Sequence, residues 1–147
     1  MTDIAHNKRA YYDYEILEKF EAGLVLRGFE VKSIKTGHIS LKGSFVTVRK
    51  AELYLTNANI PPYQHAGRII NYDPTGPRKL LLHRKELNYL IGRSRTEGLT
   101  LIPLSVYNKK RHIKLQFALA KGKKKYDKRQ SIKEREDKRR IERTLKM

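Results

Sequence analysis

Lys123, Lys124, Lys125, Lys128 and Arg129 bracket one aromatic residue, Tyr126, with Asp127 beside it. Cations at this density neutralise phosphates, and a tyrosine among them offers a face on which a nucleobase can stack. Nothing apolar in the immediate neighbourhood gives Tyr126 a core to join. From residue 121 to residue 147 there are 13 Lys or Arg against 5 Asp or Glu. A segment of that composition cannot bury a core, so it is expected to be disordered when free. Its i,i+4 pairs, Glu134–Lys138, Glu136–Arg140 and Glu142–Lys146, suit a helix that forms once the cations meet phosphates. The charge is not confined there. Residues 1–120 hold 20 Lys or Arg against 10 Asp or Glu, and the 147-residue chain carries a formal net charge of +18. A field of this sign recruits a polyanion.

Other chemistry is poorly supplied. With no cysteine, disulfides, thiolate metal sites and a Cys nucleophile are excluded. His6, His38, His65, His83 and His112 are scattered without metal-ligand spacing. Ser44, Ser94 and Ser105 lie in no nucleophile elbow, and there is neither a Walker-type phosphate loop nor a His-Glu-x-x-His. The acids of the body are dispersed. The expectation is therefore no catalysis, no metal and no cofactor. What remains is cation plus aromatic: nine tyrosines and four phenylalanines. Of these, Tyr11, Tyr12, Tyr63, Tyr72, Tyr107 and Tyr126 fall in expected loops or beside basic residues.

These residues need a scaffold. Residues 1–10 are polar and read as loose. Tyr14, Ile16 and Phe20 alternate with charged residues, as in a half-buried strand. Glu21-Ala22-Gly23 is expected to interrupt that strand before Leu24-Val25-Leu26. Arg27 to Gly37 reads as a short helix with Val31 and Ile34 on one face, Lys32 and Lys35 on another, and Gly37 as its stop. Residues 44–49 and Leu53-Tyr54-Leu55 suggest a hairpin with Val46 and Val48 inward and a three-residue turn, Lys50 to Glu52. Residues 63–79 read as a long exposed loop. A second helix follows, with His83 and Glu86 as a weak capping box, Leu87, Leu90 and Ile91 buried, and Gly92 as its end. Apolar alternation slips by one residue beside Pro103, which predicts a β-bulge. Ile113, Leu115, Phe117 and Leu119 supply the last strand after a basic turn, Asn108 to Arg111. About six short antiparallel strands with two or three short helices predict a mainly β fold, a small barrel over residues 1–120. Residues 121–147 are expected to form a tail. The first residues show no apolar signal region, and no apolar run approaches the ~18 residues that span a bilayer. A cytoplasmic monomer with no membrane partner is expected.

Six phrases occur in order: Asn-Lys-Arg-Ala (7–10), Phe-Glu-Ala-Gly (20–23), Gly-Phe-Glu-Val-Lys-Ser (28–33), Arg-Lys-Leu-Leu-Leu-His (78–83), Ala-Lys-Gly-Lys-Lys (120–124) and Asp-Lys-Arg (127–129). Together they closely resemble the SmpB family of SsrA-binding proteins over essentially the whole chain. The resemblance implies an oligonucleotide-binding-type β-barrel that binds the tRNA-like domain of transfer-messenger RNA. It implies delivery of that RNA to stalled ribosomes for trans-translation, with a tail that becomes helical in the vacant mRNA channel of the small subunit. By the same resemblance Glu21, Leu81 and His83 fall at RNA-binding positions, joined by Asn7, Lys8 and Arg9. Lys32, Lys121, Lys123 and Lys124 would contact phosphates. Tyr126 would stack in the decoding centre, with Asp127, Lys128 and Arg129 continuing that motif. Composition alone does not separate this reading from a basic ribosomal structural protein.

Overall fold

The computed structural model describes residues 3–123 and 125–145. The elements in order are β1 (Asp3–His6), α1 (Ala10–Asp13), β2 (Tyr14–Leu24), α2 (Gly28–Lys35), β3 (Phe45–Arg49), β4 (Glu52–Thr56), β5 (Arg78–Leu81), α3 (Arg84–Ser94), β6 (Leu99–Lys109), β7 (His112–Gly122) and α4 (Lys125–Leu145). All strand pairings are antiparallel, in the order β1-β6-β3-β4-β5-β2-β7, and β6 also pairs with β7. That last pairing closes six strands into a barrel and leaves β1 as an added strand on β6.

The interior follows from period-two alternation. Ile113, Leu115, Phe117 and Leu119 on β7 point into one buried cluster with Val46, Leu53, Leu55, Leu80 and Leu101. Ala118 and Ala120, on the opposite face of β7, pack with Ala10, Ile102 and Leu104 in a second cluster beneath α1. The slip beside Pro103 is a bulge: Pro103 pairs with Phe117 and Ser105 with Gln116, so Leu104 is the extra residue. It lets Leu101 and Val106 both face the main core although five positions separate them. Helix α2 buries Ile34 and half-buries Val31, and Gly37 ends its last turn at φ +86°.

Several expectations need correction. Residues 3–6 are a strand rather than a loose end, because β6 offers an unpaired edge beyond β3. Glu21-Ala22-Gly23 does not interrupt β2, which runs eleven residues against β7. Both hairpin tips are two-residue turns, Lys50-Ala51 and Lys110-Arg111, each with both φ angles positive. Neither carries the Asn-Gly or Asp-Gly signal that would announce such a turn. Val46 is buried as expected, but Val48 is exposed. His83 is the N-cap of α3 without a side-chain cap bond, and the helix passes Gly92 to end at Ser94. Strand β7 continues to Gly122, with Lys121 opposite both Glu15 and Leu99, so the barrel includes the first two residues assigned to the tail.

The loop before β5 is not uniformly exposed. Arg78 at its end is buried, with its side chain 4% exposed against 6% for its partner Glu30. Arg78 Nε donates to Glu30 Oε2 at 2.9 Å, and the two terminal nitrogens donate to the carbonyls of Ala58 and Pro74 and to Tyr72 Oη. Tyr72 in turn donates to the Ile60 carbonyl at 2.6 Å. The other Glu30 oxygen accepts the Arg27 amide at 2.8 Å and caps α2. One guanidinium thus ties α2, the exit of β4 and the long loop together. Among the described residues, every buried side-chain polar atom has a partner.

Candidate nucleic-acid interface

Glu21 on β2, Leu81 at the end of β5 and His83 at the start of α3 converge on one open groove of about 590 Å³. Pairing produces the convergence. Gly23 sits opposite Leu81 on one side and Lys114 on the other, which brings β2, β5 and β7 side by side. Gly23 adds no side chain to the floor; a methyl group there would rest in ordinary contact with Leu81, 3.4 Å from its Cβ. Leu81 is 52% exposed although the strands around it are packed, and His83 is exposed too. An apolar side chain held out beside an imidazole and near the Lys114 ammonium is a surface for a base next to its phosphate, and Lys19 lines the same groove with its ammonium 5.3 Å from the Tyr11 ring centroid.

Glu21 plays a different part from its cationic neighbours. Tyr107 Oη donates a hydrogen bond to Glu21 Oε2, and Lys109 Nζ lies 3.2 Å from Oε1. The Tyr107 hydrogen bond, helped by Lys109, holds the Glu21 carboxyl below its ordinary pKa. Burial, together with that same carboxylate, keeps the Tyr107 phenol raised and therefore protonated as the donor. Glu21 thus holds Lys109 and Tyr107 rather than presenting a bare charge to an anion. A carboxyl with a depressed folded-state pKa contributes stability above its unfolded value of about 4.5 and loses it as pH falls through the folded value. The melting-temperature gap between wild type and Glu21→Gln is therefore expected near neutrality and should close as the pH drops well below 4.5. A gap that stays constant into acid would contradict the charge-assisted contact.

The other expected residues fall into separate groups. The Asn7 amide Nδ2 donates to the Pro103 carbonyl at 2.9 Å and its backbone donates to Leu104, so Asn7 pins the chain to the bulge. Arg9 pairs with Asp13 at 3.3 Å and lies over Tyr12, while Lys8 is exposed. Lys32 is exposed on α2, away from the groove of Leu81 and His83. Lys121 is exposed on the last strand. Lys123 donates its amide to the Asp13 carbonyl and one ammonium hydrogen to the Tyr11 carbonyl, both at 2.9 Å. It anchors the root of α4 at the carbonyl end of α1, where a cation is favoured. Lys124 lies outside the described residues, as do the side chains of Tyr126, Asp127 and Lys128. Their backbone opens α4, on which Arg129 and residues 132–141 are exposed. Of the tyrosines expected as stacking faces, Tyr72 and Tyr107 are instead held in the hydrogen bonds above.

Sequence reasoning missed Lys19, Lys109 and Lys114, which line or flank the groove. Each lies on a strand whose alternation is legible, but only the pairing register of β2, β6 and β7 shows that they meet. No group of three or more potential metal ligands occurs among the described residues, and no described helix is long and apolar enough to cross a membrane.

Comparison with known proteins finds relatives over nearly the whole chain. The family model described as SmpB protein matches residues 4–147. The SsrA-binding protein of Geobacillus kaustophilus (strain HTA426) is 52% identical over 142 residues, covering 97% of this chain and 91% of that protein. Those of Acaryochloris marina (strain MBIC 11017) and Enterococcus faecalis (strain ATCC 700802 / V583) are 50% and 51% identical over 143 residues, covering 97% of this chain and 93% and 92% of theirs. A solved chain from work described as "tmRNA-SmpB: a journey to the center of the bacterial ribosome" superposes with a TM-score of 0.67 at 48% identity, covering 82% of this chain and 84% of that one. With the family pattern matched from residue 4 to the C-terminus and about half of all residues shared with its relatives, the chain belongs to the SmpB family.

Proposed function

We propose that this protein binds transfer-messenger RNA through the groove of Glu21, Leu81 and His83 and delivers it to stalled ribosomes in the cytoplasm for trans-translation. The observation that carries the reading is the convergence of those three residues, far apart in sequence, on one groove flanked by Lys19, Lys109 and Lys114. Relatives named for SsrA binding support the partner, and the solved ribosome-associated likeness supports the destination. Folded RNA is read largely through its backbone, 2′-hydroxyls and stacked bases, and these side chains suit all three. Binding and delivery need no catalytic step. Salt titration tests the electrostatic part: log affinity should fall with log salt at about 0.7–0.9 per phosphate contact, summed over several contacts. A flat response between low and moderate salt would count against a phosphate-dominated interface.

The tail takes the second task. Helix α4 leaves the barrel at Lys123 with its described side chains exposed, as a segment should that finds its partner elsewhere. Lys128 and Arg129 would follow phosphates of the mRNA channel and Tyr126 would stack in the decoding centre, with Asp127 beside it. A chain ending after Lys123 keeps every barrel strand. It should hold transfer-messenger RNA within about threefold of wild type, under 0.7 kcal/mol, yet fail to support tagging on stalled ribosomes. Loss of RNA binding by this folded, truncated chain would show that the two tasks are not divided at Lys123.

A further inference from the structure

A second groove, of about 280 Å³, lies between α2 and the segment Pro61–His65. Ser33, Thr36 and His38 form one wall, and Tyr63, Gln64 and His65 the other. We infer that this groove receives a single unpaired nucleobase of a folded RNA, stacked on Tyr63, with the adjoining phosphate on Lys32. It is a site separate from the groove of Leu81 and His83.

Four observations carry the inference. No carboxylate lines the groove, while Lys32 and Lys35 lie exposed on the helix beside it. The charge at its mouth therefore fits a phosphate. Lys32 Nζ stands 6.0 Å from the Tyr63 centroid, the outer limit of a cation–π contact, so a phosphate can take the ammonium at small cost. Tyr63 and His65 meet edge to face with centroids 5.4 Å apart, which presents an aromatic corner rather than a closed stack.

The opposite wall can read a base edge. Thr36 Oγ1 lies 2.9 Å from the Ser33 carbonyl and 3.1 Å from the Lys32 carbonyl. When its one hydrogen goes to these acceptors, the 2.9 Å contact with His38 Nδ1 uses the ring N–H as donor. In the neutral ring this leaves His38 Nε2 as an acceptor for an exocyclic amine. The volume falls short of the ~300–1,000 Å³ of pockets for drug-sized ligands, which suits one planar ring system.

The walls are also fixed relative to each other. The buried Arg78 joins Glu30 of α2 to Tyr72 and Pro74 of the long loop, and Tyr72 holds the Ile60 carbonyl just before Pro61. That network sets the spacing of the groove, which gives a reason for a buried ion pair at this place.

Photocrosslinking of the full chain to a short 4-thiouridine-substituted oligouridine tests the site, with excess transfer-messenger RNA present to occupy the other groove. Adducts on Tyr63 or His65 that persist under this competition are expected, with the oligonucleotide Kd rising about tenfold in Tyr63→Leu. Tyr63→Phe should retain wild-type affinity, which separates stacking from a folding defect. Adducts confined to the tail or to the neighbourhood of Leu81 and His83 would overturn the inference, as would equal affinity of wild type and Tyr63→Leu. A gel shift with transfer-messenger RNA alone should be unchanged in Tyr63→Leu, so failure here is distinguishable from failure of the proposed function.

Discussion

Arg78→Met is expected to lower the unfolding free energy by about 3–5 kcal/mol, the cost of leaving a buried charge without its partner. The loss is large because one side chain serves four acceptors. Without the guanidinium, the Glu30 carboxylate keeps only the Arg27 amide and a 3.3 Å contact with Tyr72, the Ala58 carbonyl loses its Arg78 donor, and the Pro74 carbonyl keeps only the Ile60 amide. Met fills most of the vacated volume, so the deficit is one of polar satisfaction rather than of a cavity. Urea unfolding reads the difference directly, with an unchanged m-value as the sign that both states keep their extent. Glu30→Gln should also cost stability, since its single amide oxygen can accept from Arg78 or from the Arg27 N–H but not from both, and the amide nitrogen then faces the other donor. Adding Glu30→Leu to Arg78→Met should cost less than the sum of the two single changes, because the charge left unpaired is then removed as well. A loss for Arg78→Met within the ±0.5 kcal/mol of surface substitutions would mean that the ion pair is not buried as described.

The paired variant Leu81→Ala/His83→Ala is expected to weaken transfer-messenger RNA by one to two orders of magnitude, since each base contact contributes roughly 1–3 kcal/mol. Neither residue supports the fold. Leu81 is 52% exposed and outside the core, and His83 makes no side-chain cap to α3. The melting temperature should therefore stay near that of wild type while affinity falls, a separation that few core substitutions allow. Val48→Ala, also exposed but on β3, which contributes no residue to the groove, is the control and should change neither. If the paired variant bound like wild type, the groove would not be the RNA-binding site, whatever the family.

The barrel was legible in the sequence because its signals are local. Ile113, Leu115, Phe117 and Leu119 announce a strand with one buried face, and the slip at Pro103 announces a bulge. The Val31–Ile34 face and Gly37 delimit α2. Other features depend on partners distant in the chain. Strand β1 is only four residues long, and it forms where β6 presents an edge and Ile4 and Ala5 can pack against the core. Ala22 and Gly23 look like an interruption until β7 and β5 are seen on either side. Arg78 reads as one more cation of an exposed loop, since nothing near it says that Glu30, forty-eight positions earlier, will be buried beside it.

The site divides in the same way. Resemblance supplied Glu21, Leu81 and His83, and folding brings them together. Lys19, Lys109 and Lys114 come from the strand register alone. Asn7, which the resemblance joins to the RNA-binding positions, donates its amide to the Pro103 carbonyl ninety-six positions away, a contact its neighbours in sequence do not announce. The boundary of the tail shifts for a related reason. Gly122 looks like a stop, but Tyr14 pairs with it, and the chain leaves the barrel only at Lys123.

The most direct test of the central claim is a competition gel shift of the full chain on transfer-messenger RNA against a mixture of ordinary tRNAs. A preference for transfer-messenger RNA of at least about a hundredfold, roughly 2.8 kcal/mol, is expected at moderate salt. Equal binding to both would contradict it and would leave a basic protein drawn to any folded RNA, as a ribosomal structural component would be.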